Sequence, residues 1–254
     1  MSRITIGLMS ALAVVAVVAL GGWYFLFRDN APPPVSLDSA LQAAAASSTA
    51  TAGGAATTAN TAAGGSEAAA ANDAGTSDLA GTWELVADGQ SFVGYRVEEE
   101  LASIGATTAV GRTTAVSGTL AFDGSEITEV TVEADVTQLT SDRSMRDNAL
   151  RRQALETSTY GTATFALTES IAIEDDVASG AAVSASATGD LTLHGVTRSV
   201  TIPLEGQLVD GKVVVVGSVD ITFADFDIAQ PSAASVLSVE DHGTIELQLI
   251  FEPA

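Results

Sequence analysis

The sequence predicts an all-β fold: a closed antiparallel barrel of about eight strands with one short helix, set behind an apolar amino-terminal span and a low-complexity linker. Three observations lead there. Beyond residue 80, apolar side chains recur at every second position in eight or nine runs, the spacing of strands with one buried face. Most of these runs are joined by short turns rich in Gly, Asp and Ser, which suits antiparallel neighbours. Only residues 142–156 replace the alternation with a run of helix formers. A sandwich satisfies the same pattern, but a closed sheet removes exposed edges, which favours the barrel.

Net charge is −22 for the 254 residues, and residues 81–254 hold 27 acidic against 8 basic side chains, or −19 by subtraction. Such a field repels phosphate backbones and argues against a nucleic-acid partner. With no Cys there is no disulfide framework or thiolate metal site, and two His far apart in sequence do not make a metal centre.

Residues 4–27 carry no charge and are long enough to cross a hydrocarbon core of about 30 Å. Trp23 and Tyr24 stand near the far end, and Arg3 lies on the leading side. This predicts a single-pass anchor with its amino terminus in the cytoplasm and the following domain outside. The run exceeds the apolar core of a cleaved signal peptide, and no Cys follows it to carry a lipid. Residues 1–28 are therefore read as a transmembrane signal anchor. Residues 29–80, mostly Ala, Thr, Ser and Gly with Pro32-Pro33-Pro34, are read as a disordered linker, its Ala-rich stretch at 40–46 too short to hold a helix alone. The Thr and Ser density of the linker leaves glycosylation open.

Residues 81–254 form the barrel domain. Trp83 and Leu85 share one side of the opening run, then Val93, Tyr95 and Val97 share a face of the next, and Glu98-Glu99-Glu100 reads as a solvated strand end. Leu120 and Phe122 precede the turn Asp123-Gly124-Ser125. Val130, Val132, Ala134 and Val136 alternate with Thr131, Glu133 and Asp135, the cleanest half-buried strand in the chain.

The helical segment 142–156 has a Ser141/Asp142 cap and three opposite-charge pairs at i,i+4: Asp142 with Arg146, Asp147 with Arg151, and Arg152 with Glu156. Four of the domain's eight basic residues crowd here, so Arg146 and Arg151 are candidates to grip an anionic head group, against the plainer reading of a solvated helix face. Phe165 falls in the run at 162–167. The stretch 189–204 is a hairpin, with Leu191 and Leu193 on one face of its first strand and His194-Gly195 at the reversal. Ile221 and Phe223 continue a run from Val219, and Ile245, Leu247, Leu249 and Phe251 align in the last strand.

Several of these pieces, in this order, resemble the YceI-like family: Gly189-Asp190-Leu191-Thr192-Leu193-His194-Gly195-Val196-Thr197-Arg198, Arg146-Asp147 with Leu150-Arg151, the alternation from Ser91 to Val97, and Ser117-Gly118-Thr119-Leu120 with Phe122-Asp123. The resemblance covers residues 81 to about 252 and implies a lipocalin-like extended antiparallel barrel that holds a polyisoprenoid or other amphiphilic lipid, such as an isoprenoid quinone or polyprenyl lipid. Leu155-Glu156 replaces the family's usual aromatic pair, and Tyr160-Gly161 its usual Tyr-Pro. On pattern alone the inward residues describe a filled core. The resemblance makes Val93, Tyr95, Val97, Leu120, Phe122, Val132, Phe165, Leu191, Leu193, Ile221, Phe223, Leu247 and Leu249 the candidate lining of a lipid cavity.

A lipid carrier, store or sensor held at its membrane is thus the leading expectation, with no cofactor required beyond the lipid itself. The second is an envelope module with a filled barrel and no ligand. Catalysis is disfavoured: no Gly-x-Ser-x-Gly elbow is present, His194 sits in a turn, and His242 follows two acids in a loop with no nucleophile assigned to it.

Overall fold

The computed structural model describes residues 31–52, 79–87, 89–103, 105–173, 177–233 and 235–254. The expected membrane span at 4–27 and most of the linker lie outside these residues. Among the described residues no helix is long and apolar enough to cross a membrane.

The described strands are β1 (Gly81–Leu85), β2 (Phe92–Leu101), β3 (Gly105–Thr113), β4 (Val116–Phe122), β5 (Glu126–Asp135), β6 (Thr140–Ser141), β7 (Thr162–Leu167), β8 (Ile171–Ala172), β9 (Val183–Leu193), β10 (Val196–Val209), β11 (Lys212–Thr222), β12 (Val236–Val239) and β13 (His242–Pro253). All their pairings are antiparallel, and the sheet closes because β13 bonds to β11 on one edge and to β2 and β1 in succession on the other. β2 and β1 thus share one stave, β3 and β4 the next, and β6 and β5 the third. With β7, β9, β10, β11 and β13 this makes a closed eight-staved barrel. β3 escapes sequence reading because its Gly, Ala and Thr residues give too little apolar contrast to show a period.

The hairpin holds in register. Leu193 pairs with Val196 across a two-residue turn in which His194 and Gly195 have φ of 53° and 75°, the paired left-handed conformation that tight hairpins require. Leu191 and Leu193 are buried, facing the interior as their spacing predicts.

Two results differ from expectation. The first lies in the linker, where Leu37–Ala52 forms a 16-residue helix, α1. Leu37, Ala40, Leu41 and Ala44 repeat at i, i+3, i+4, i+7 and rest on Val214, Val216 and Ile250, which point out from β11 and β13. Docking supplies what helix propensity lacks, and Ala40 is fully buried. The Ser36 hydroxyl accepts from the Ser39 backbone N–H at the start of the helix. Pro32 just before it accepts a hydrogen bond from Arg96 at 2.7 Å. Arg96 in turn pairs with the fully buried Glu246 at 3.0 Å, beside Arg112, which lies over the Phe92 ring.

The second is Glu99. It is buried rather than solvated, because residue 99 falls on the inward face of β2 together with Val93, Tyr95, Val97 and Leu101.

Candidate functional site

One end of the barrel encloses a cavity of about 430 Å³, within the range of pockets for small organic ligands. Its wall is overwhelmingly apolar. β2 contributes alternate residues from Val93 to Leu101, β9 contributes Leu191 and Leu193, and β11 and β13 contribute Ile221 and Ile245. The helix α2 (Ser144–Ala149), which continues as a π-turn through Leu150–Ala154, covers the opening with Met145, Leu150 and Ala154. The loop before β12 closes the other side through Ile228, Pro231 and Ala233, and is tied to the helix by the Ser232 N–H donating to Gln153 at 3.0 Å. Met145 and Leu237, the large hydrophobic residues that stand exposed among the described residues, lie at this end: Met145 in the cavity wall itself, Leu237 between the wall residues Val236 and Val239.

The polar groups at the mouth satisfy one another. Arg146 bonds to both Glu99 and Asp142, so its charge is already matched by two carboxylates. Asp147, buried, accepts from the Ser141 N–H at 2.9 Å and the Ser141 hydroxyl at 2.7 Å instead of pairing with Arg151. Arg151 does not line the cavity: its guanidinium donates to the Thr137 and Leu139 carbonyls at 3.1 and 2.8 Å, fastening the segment between β5 and β6. Arg151 therefore stands away from the expected head-group position, whereas Arg146 lines the cavity with its charge matched by two carboxylates. A cation that is already neutralised, or committed to backbone acceptors, offers little to a phosphate.

Two buried groups are exceptions, Arg146 Nε and the hydroxyl of Tyr95, and Tyr95 stands in the wall itself. Its hydroxyl is buried in the cavity wall, and the nearby Ser141 hydroxyl does not reach hydrogen-bonding geometry with it. Burial pushes the phenol up to about 12, with the Arg146 guanidinium pulling the other way. It stays a neutral donor throughout the physiological range.

The candidate lining divides into three groups. Val93, Tyr95, Val97, Leu191, Leu193, Ile221 and Phe223 line the large cavity. Leu120 and Phe122 instead line a second, smaller apolar cavity of about 120 Å³ at the opposite end, with Trp83, Ile127 and Leu204. Val132, Phe165, Leu247 and Leu249 line neither and pack the core between them. Spacing assigns a face but not a depth along the barrel, so it cannot separate these groups. The helix-borne residues Leu150, Ala154 and Leu155 and the loop residue Ile228 carry no sequence signal for this role, because they reach the cavity only through tertiary packing.

His194 serves its turn. Nδ1 lies 3.1 Å from the Phe226 carbonyl and the ring meets Tyr160 edge-on at 4.5 Å, outside both cavities. Glu240, Asp241 and His242 bring ligand-type atoms within 4.8 Å of one another, but all three are exposed, the ordinary state of surface acids.

Comparison with known proteins agrees with this architecture. A UPF0312 protein of Vibrio parahaemolyticus is 32% identical over 124 residues, 45% of this chain and 61% of that protein, so the match spans less than two thirds of the relative. Among solved structures, a polyisoprenoid binding domain from Saccharophagus degradans, implicated in plant cell wall breakdown, superposes with a TM-score of 0.52 at 21% identity over 68% of this chain and 98% of its own. BcnA of Burkholderia cenocepacia gives 0.50 at 20% identity over 63% and 96%. These two share the fold, and residues 83–251 match the YceI-like domain over essentially the whole barrel. The chain belongs to the YceI-like family.

Proposed function

We propose that this chain is a membrane-tethered, extracytoplasmic lipid-binding protein that holds a polyisoprenoid or similar amphiphile in its barrel for carriage, storage or sensing. The observation that carries the reading is the 430 Å³ apolar cavity, open between a helix and a loop at one end of a closed sheet. A filled barrel has no such space, which disfavours a purely structural module. The polyisoprenoid binding named for the Saccharophagus degradans domain supports the ligand class. The Tyr95 hydroxyl, a neutral donor in the wall, and Arg146, already neutralised, favour an uncharged polar head over a phosphorylated one. Binding, not catalysis, is what this wall is built for. The apolar run at 4–27 would place the barrel outside the membrane, and because Pro32 already touches Arg96, the barrel would stand only a few residues from that span.

Gentle extraction of the full-length protein from its native membrane, followed by mass spectrometry of the intact complex, tests this. A bound isoprenoid lipid in one-to-one ratio is expected. Protein that comes out empty and fails to take up isoprenoid quinone or prenyl alcohol from detergent would overturn the reading.

A further inference from the structure

The two cavities belong to one barrel interior, and what separates them is a short belt of side chains, two inward positions deep on β9 and on β11. On β9 and β11 the residues at one end line the large cavity, those at the other end the small one, and those between line neither. On β9 the order is Leu191, then Gly189 and Ala187, then Ala185; on β11 it is Ile221, then Val219 and Gly217, then Val215. Two glycines in this middle belt leave space that neighbours fill. A Cβ on Gly189 would meet the Phe165 ring at 2.5 Å, and one on Gly217 would meet Leu204 at 2.5 Å and Ile202 at 3.3 Å. Val132, paired directly with Phe165 across β5 and β7, completes the seal.

Resting on the lipid-binding reading, we infer that this belt, with Phe165 at its centre, sets the length of tail the protein accepts, and that the cavity beside Trp83 is a second apolar subsite open only when Phe165 leaves Gly189. The large cavity of 430 Å³ accommodates about fourteen water-sized groups at ~30 Å³ each, or about three five-carbon units. The small cavity together with the space of the Phe165 ring adds about two more. Trp83 lines the small cavity and is the barrel domain's single tryptophan, so its emission reports occupancy there and not above.

The test uses full-length protein carrying Trp23→Phe and prenyl alcohols of three and five units, with affinity read by titration and occupancy by Trp83 emission. In the parent protein the two alcohols bind within about two-fold of each other and neither moves Trp83 emission. Phe165→Ala binds the five-unit alcohol at least ten-fold tighter than the parent does and shifts Trp83 emission, and adding Ala185→Phe, which fills the small cavity, removes both gains. Phe165→Leu and Val132→Ala carry the same readouts should Phe165→Ala not fold, with circular dichroism as the check. A parent protein that gains affinity with the two extra units and shifts Trp83 emission overturns the partition. Binding of neither alcohol overturns the lipid reading itself, and the inference with it.

Discussion

The Tyr95 ring lies where a side chain on Gly111 would have to be: a Cβ placed there would sit 2.4 Å from Tyr95 Cε1 and 2.8 Å from its hydroxyl oxygen. The two residues face each other across β2 and β3. The bare backbone at 111 is thus what lets a tyrosine lie along the cavity wall. Gly111→Ala is expected to lower stability by about 1–3 kcal/mol through overpacking and to displace the tyrosine hydroxyl. Thermal unfolding checks the first effect and ligand titration the second; an unchanged melting temperature would mean that the ring has room to move.

Burial of Tyr95 also predicts an alkaline response. The phenol titrates near 10 when unfolded and at about 12 when folded. The native state therefore holds its proton more tightly, and its contribution is fully present below pH 10 and lost as pH rises through 12. The loss approaches about 2–3 kcal/mol across that window, and Tyr95→Phe should flatten it. Denaturant unfolding at pH 9 and pH 11 on both proteins measures the difference.

Leu37 is expected to hold α1 against the barrel. Leu37→Asp forfeits roughly 2 kcal/mol of apolar burial and adds a charge facing Val214 and Ile250. The helix should detach while the barrel stays folded. Limited proteolysis should then cut within residues 31–52 before any barrel strand, and equal cleavage rates in parent and variant would show that the helix does not depend on this contact.

The two arginines should separate in their effects. Arg146→Ala leaves the buried Glu99 without its partner and is expected to cost about 3–5 kcal/mol. Arg151→Ala orphans the Thr137 and Leu139 carbonyls and costs about 1–3 kcal/mol. Neither should change the salt dependence of binding an uncharged prenyl alcohol, which titrations at low and high salt would show.

Most of the strands, the barrel class, the hairpin with Leu191 and Leu193 turned inward, and the family are legible along the chain, while β3 is not. Each of these is local: period-two alternation needs only neighbours along the chain, and the His194-Gly195 reversal needs only two left-handed residues. Tertiary structure alone decided the rest. Whether an inward residue lines a cavity or plugs the core depends on its height in the barrel, which placed Phe165 and Val132 in the partition and Tyr95 in the wall. Whether an arginine is free depends on distant partners: Glu99 reaches Arg146 from 47 positions away in sequence. Even the helix at Leu37 forms against β11 and β13, far along the chain, because its weak local preference becomes a stable structure only when an apolar wall is there to receive it.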